Sequence, residues 1–127
     1  MIDISSLISE AKKHVGEFAL STTWMTAGSV SAAVLSATGK IYTGICIDVA
    51  CGIGFCAEHS AIADMLKHRE TRIDMVVAVK DDGKVIPPCG RCRELMLQIN
   101  AKNENTGVVL DNNRIVLLKD LLPFRWV

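Results

Sequence analysis

Apolar residues recur every three or four positions at Ile4, Leu7, Ile8, Ala11, Val15 and Phe18. That spacing lines one face of a helix. It predicts an amphipathic helix over 3–21 with Asp3 as its cap. Segment 22–29 is rich in Thr, Ser and Gly and reads as a loop. Two strands follow, over 30–36 and 40–47, joined by the hairpin chemistry of Ala37-Thr38-Gly39. Residues 48–55 contain Gly52 and Gly54 and predict an irregular loop.

A second helix is predicted from Cys56 to Arg69, with Ala57, Ala61, Met65 and Leu66 on its packed side. Ile73 to Val79 is a nearly unbroken apolar run, the pattern of a central strand covered on both faces. Asp81-Asp82-Gly83 makes a turn. Pro87-Pro88 then interrupts the chain and opens a third helix over 89–101. Short strands at 107–110 and 114–118 flank Asp111-Asn112-Asn113, and a last helical turn at 119–122 stops at Pro123. The order α-β-β-α-β-α-β-β predicts an α/β fold, one mixed sheet with helices packed on it. With 127 residues and no repeat or linker, the chain reads as a single domain over 1–127.

Half of the residues are hydrophobic. Such a content suits a sheet buried on both faces, or a subunit that hides apolar surface in an oligomer. Fourteen basic and fourteen acidic side chains cancel. Balanced charge argues against a strong grip on nucleic acid, and three Phe with one Tyr make a poor platform for stacking bases. No stretch approaches the roughly 18 apolar residues of a membrane span. The start of the chain lacks the basic-then-apolar pattern of a secretory signal, so a cytoplasmic setting is expected. There, five cysteines serve as metal ligands or core residues rather than disulfides.

The chemistry sits in two short motifs, Cys56-Ala57-Glu58 and Pro88-Cys89-Gly90-Arg91-Cys92. Cys56 falls where the second helix starts, Cys89 where the third starts, and Cys92 one turn further on the same face. Free N–H groups at a helix start favour a thiolate. Three sulfur ligands suit a zinc ion and leave its fourth position for water, the pattern of a catalytic site. Glu58 then stands beside the metal as an acid/base. The same order of residues marks zinc nucleobase deaminases, in which the Glu is not a ligand. Arg91 and Arg93 are candidates to offset the charge of three thiolates. His59 is either a donor to the metal ligands or a core contact. Cys46 or Cys51 as a fourth ligand would make the site structural, and Cys89 with Cys92 alone would suit a redox pair. Glu58 and both prolines favour the catalytic reading.

These residues resemble the cytidine deaminase family. Cys56-Ala57-Glu58-His59-Ser60-Ala61-Ile62 is similar to its Cys-Ala-Glu-Arg-x-Ala-Ile segment, and Pro88-Cys89-Gly90-Arg91-Cys92-Arg93-Glu94 to its Pro-Cys-Gly-x-Cys-Arg-Gln. Val30 to Leu35 and Leu121 to Phe124 resemble its first strand and its ending. The resemblance implies a three-layer α/β/α fold with a five-stranded mixed sheet, one zinc per subunit, a small nucleoside substrate and usually a homotetramer whose sites neighbours complete. The family's Asn-x-Glu-Asn, whose Asn and Glu hold the ribose, matches Cys46-Ile47-Asp48-Val49 here. Asp48 can replace that Glu, whereas Cys46 cannot replace the Asn. Candidate substrate contacts are therefore Asp48, Cys46 and Ala57, with Trp24 standing in for the family's stacking Phe. Segment 36–44, Arg91 and Trp126 also resemble blasticidin S deaminases. Phe124 and Trp126 would wall a neighbour's pocket or anchor an interface. The expected activity is hydrolytic deamination of cytidine or deoxycytidine. A modified cytosine nucleoside such as blasticidin S is the alternative, and a zinc module without catalysis is the alternative of another class.

Overall fold

The structure is a computed structural model and describes residues 3–127. Helix α1 spans Ile4–Lys12, and the Asp3 carboxylate caps it by accepting the Ser6 N–H at 2.8 Å. The helix ends well short of residue 21. Gly16, at φ +153°, donates its N–H to the Gly28 carbonyl at 2.8 Å. Phe18–Ala19 then pairs as strand β1 with the next strand, β2, which runs Thr26–Ser36. Val15 and Phe18 kept the helical spacing, but sheet pairing took this stretch. The expected loop at 22–29 is therefore partly strand. Gly28, at φ +87°, sits where the register of β2 against its neighbour slips. A Cβ there would stand 2.4 Å from the Gly16 oxygen, so only glycine fits.

Strands β3 (Ile41–Asp48), β4 (Ile73–Lys80), β5 (Val85–Ile86), β6 (Gly107–Val109) and β7 (Ile115–Leu117) complete a seven-stranded sheet. Five of them run in the order β3-β2-β4-β6-β7, with β1 beside the start of β2 and β5 beside the end of β4. The pair β4·β6 is parallel and the others are antiparallel. The five expected strands are thus present. The two extra ones have two residues each, too few for an alternating pattern to register.

Alternation along the strands splits the core into two layers. Ala33, Leu35, Val77, Val79 and Val109 face α1, against Leu7 and Ala11. Val34, Val76 and Val108 face helices α2 (Ala57–Lys67) and α3 (Gly90–Ile99), against Ile62, Met65 and Met96. This is the expected α/β/α arrangement. Helix α2 lies so close on β3 that a Cβ at Gly44 would be 2.4 Å from the Ala61 nitrogen. No helix among the described residues is long and apolar enough to cross a membrane.

A short 3-10 turn, Ala101–Asn105, follows α3 and brings Asn103 into the core. Its side chain accepts the Ile73 N–H at 2.9 Å and donates to the Thr71 and Met96 carbonyls, each at 2.9 Å. One amide thereby ties the end of α3 to the start of β4. Asn103→Ala leaves three backbone groups without a partner and is expected to cost about 3 kcal/mol. Denaturant unfolding checks this, and a loss below about 1 kcal/mol would contradict it.

Candidate metal centre

Cys56 and Cys89 occupy the N-cap positions of α2 and α3, with extended backbone (ψ 157° and 171°). Neither caps its helix with its side chain, so both sulfurs are free to face each other. The Cys56 and Cys89 Sγ atoms lie 3.3 Å apart, and Cys89 and Cys92 3.6 Å apart. All three sulfurs fall within 4.8 Å of one another. A tetrahedral zinc with bonds of about 2.3 Å needs sulfurs about 3.8 Å apart, so the trio fits the ion. Cys46 and Cys51 stand outside the trio, which argues against a four-thiol structural site.

The surroundings treat the three thiols differently. Burial, then the hydrogen bond with Cys89, pushes the Cys56 thiol up to about 11. Burial and the nearby Glu58 charge push Cys92 up further. Burial also opposes ionisation of Cys89, but the N–H groups of Cys92 and Arg91 and the flanking thiols outweigh it and hold its pKa below the usual value. The helix start thus favours a thiolate at Cys89. Glu58, in the first turn of α2, is 4 % exposed, and burial raises its carboxyl above the usual range. His59 places Nδ1 3.5 Å from the Cys92 sulfur. Burial, then the Arg91 charge, lowers its pKa, which favours the neutral ring.

Cys56, Glu58 and Cys89 open onto a cleft of about 450 Å³. Cys46, Asp48, Ala57 and Arg91 line it as well. The cleft also contains Ser29, a residue that sequence reasoning placed in a loop and left without a role. Its hydroxyl is 3.2 Å from the Cys46 sulfur and 3.5 Å from the Asp48 carboxylate. Cys46 is 6 % exposed and its sulfur also accepts the Val30 N–H at 3.3 Å, so it faces protein partners first. No local signal marks Ser29, because its partners lie 17 and 19 positions away.

The two arginines do not take the expected place at the sulfurs. Arg93 donates to the Pro88 carbonyl at 2.8 Å and the Leu121 carbonyl at 2.9 Å. Arg91 donates to the Gly54 carbonyl at 3.5 Å. Of their carbonyl partners, Gly54 and Leu121 lie on segments that helix spacing could not position. Trp24 is also outside the cleft lining, exposed in the turn before β2. Phe124 and Trp126 project into solvent and do not line the cleft of their own chain.

A family model for the "Cytidine and deoxycytidylate deaminase zinc-binding region" matches residues 5–108. The chain belongs to this deaminase family. A cytidine deaminase of Mycobacterium tuberculosis is 32% identical over 97 residues, covering 75% of this chain and 70% of that protein. A blasticidin-S deaminase of Bacillus cereus is 33% identical over 109 residues, with 76% of each covered. A crystal structure of cytidine deaminase from Mycobacterium tuberculosis superposes with a TM-score of 0.82 at 26% identity, covering 100% of this chain and 99% of that one. The chain is a hydrolytic deaminase with one Zn²⁺ per subunit, for which Cys56, Cys89 and Cys92 provide the site.

Two outcomes are expected of this deaminase. Cys89→Ala loses bound zinc and stability together, because metal binding and folding are coupled. Metal analysis of the purified variant checks this, and a full equivalent of zinc would contradict it. Zinc binding at neutral pH should also release at least about two protons, since the raised thiols of Cys56 and Cys92 must ionise. Apparent zinc affinity then falls as pH is lowered. Zinc titration in buffers of different ionisation enthalpy measures the protons released.

Proposed function

We propose that this deaminase converts a free cytosine nucleoside, with cytidine and deoxycytidine as default substrates, to the uracil nucleoside and ammonia. One observation carries the reading: the buried Glu58 carboxyl shares a cleft of about 450 Å³ with the sulfur site. That space suits one small molecule. Bound zinc supplies a nucleophile at neutral pH by lowering the pKa of water from about 15.7 towards 7. Glu58 accepts the proton that this water gives up. It passes that proton to the ring nitrogen, then takes the remaining hydroxyl proton of the adduct and passes it to the departing amino group. Water adds to the ring carbon, the C–NH2 bond breaks, and C=O remains. The raised pKa of Glu58 suits it to hold a proton between these transfers. His59, with its proton on Nδ1, donates to the Cys92 sulfur and lowers the charge there.

Asp48 and the Ser29 hydroxyl are the polar groups suited to bind the sugar, with Cys46 behind them. Ala57, at the start of α2, lines the cleft next to the acid and closes its wall against the base. A cysteine at position 46, together with the similarity to a blasticidin-S deaminase, favours a second reading in which a modified sugar is accepted. Exposed Phe124, Trp126 and Val127 support a homo-oligomer, which we propose to be a tetramer in which these residues meet a neighbouring subunit. Trp24, 67 % exposed, fits such a contact better than a role in its own cleft. Five free cysteines suit the reducing cytoplasm.

Loss of absorbance near the cytosine maximum, followed over a panel of nucleosides, tests the reading. If blasticidin S turns over and cytidine does not, the second reading replaces the first. Zinc-loaded protein that leaves every cytosine compound unchanged would end both. Glu58→Gln should keep its zinc and lose kcat by at least about 100-fold. Asp48→Asn should raise KM about tenfold with kcat nearly unchanged, the mark of lost ground-state binding.

A further inference from the structure

Arg93 lies in the first turn of α3, next to the ligand Cys92. Its backbone N–H donates to the Cys89 carbonyl at 3.0 Å. Its half-buried guanidinium reaches backwards and sideways at once: Nε to the Pro88 carbonyl at 2.8 Å, Nη1 to the Leu121 carbonyl at 2.9 Å. Pro88 immediately precedes Cys89. The Pro88 oxygen and the Cys89 nitrogen belong to one rigid peptide plane. Fixing that oxygen restricts the rotation of the plane, and with it the direction in which Cys89 projects its sulfur.

The other end of the bridge is equally well anchored. Leu121 closes helix α4, Leu118–Leu121, whose last carbonyls have no partner within the helix. Leu118 is fully buried and its N–H donates to the Thr106 carbonyl at 2.9 Å. The Thr106 hydroxyl donates to the Ile73 carbonyl at 2.7 Å, at the start of the central strand β4. A continuous chain of hydrogen bonds therefore runs from the sheet through α4 and Arg93 to the peptide that carries Cys89. Arg93 is the one link in it that joins the C-terminal segment to the sulfur site.

We propose that Arg93 is a positioning residue for the metal centre, a clamp between α4 and the Pro88–Cys89 peptide that aims the Cys89 sulfur and so governs zinc retention. This rests on the reading that the three thiols hold zinc. It differs from a role in which the arginine merely supplies positive charge near three thiolates. A lysine keeps that charge, but its single ammonium lacks the planar fork that spans two fixed carbonyls.

The experiment compares Arg93→Lys and Arg93→Met with the unaltered protein. Zinc affinity is measured by competition with a chromogenic chelator, beside kcat, KM for cytidine and Tm. The clamp predicts that both variants lose about 10- to 100-fold in zinc affinity, the usual effect of removing support behind a ligand. At saturating zinc, KM should stay within about twofold, because the substrate contacts are elsewhere. Should Arg93→Lys bind zinc like the unaltered protein while Arg93→Met does not, charge rather than geometry is the cause and the clamp is overturned. A fall in Tm with zinc affinity unchanged in both variants also overturns it, leaving Arg93 a role in the fold alone. If Arg93→Met does not fold, Arg93→Lys decides the matter, since it keeps the charge and most of the side-chain volume. Unaltered protein that binds no zinc would overturn the metal site itself, a result distinct from any change in the variants.

Discussion

Three thiols confined within 4.8 Å of one another cannot all ionise without a cation between them. This electrostatic constraint organises the functional half of the molecule. Two helices begin at the same point, and the N–H groups of Arg91 and Cys92 in α3 favour negative charge at Cys89. The same crowding and burial hold protons on Cys56 and Cys92. The metal-free trio is thus poised to exchange protons for a divalent ion. The sheet makes this possible, because β3 leads into the loop before α2 and β4 into the segment before α3.

The same local physics separates the roles of the acidic groups around the cleft. Glu58 is buried in the first turn of α2, where desolvation favours its protonated form. Asp48 is exposed at the end of β3, beside Ser29. In the proposed reaction the first carboxyl transfers protons and the second holds hydroxyl groups of the sugar. Positive charge stays at one remove: Arg91 and Arg93 satisfy backbone carbonyls, and His59 places a ring nitrogen 3.5 Å from the Cys92 sulfur. The half-buried Arg93 is shared between the Pro88 and Leu121 carbonyls.

Much of the fold was legible because its signals are local. The apolar run at 73–79 became β4, and the spacing of Ala57, Ala61 and Met65 became the packed face of α2. Pro87-Pro88 marked the start of α3 within a residue or two. The first helix was over-read because Val15 and Phe18 satisfy a helical period, while pairing of Phe18 with Ala27 is a long-range event. Thr26 to Ser29 looked like a loop by composition, yet they open strand β2, with Thr26 and Ala27 paired to Asp48 and Ile47 of β3.

The sequence by itself determined the metal site: residue type and spacing alone placed three sulfurs and one carboxyl at two helix starts, since helix geometry is short-range. It also determined a mixed sheet with helices packed on it, through apolar runs and helical spacing, while the three-layer arrangement was what the family resemblance implied. The tertiary structure alone decided which polar groups share the cleft and which arginine supports which segment. Ser29 meets Cys46 across a strand pair, and Arg93 meets Leu121 across 28 positions of chain. Such partners are set by how the sheet and helices pack, and no periodicity along the chain encodes a distance between residues that only folding brings together.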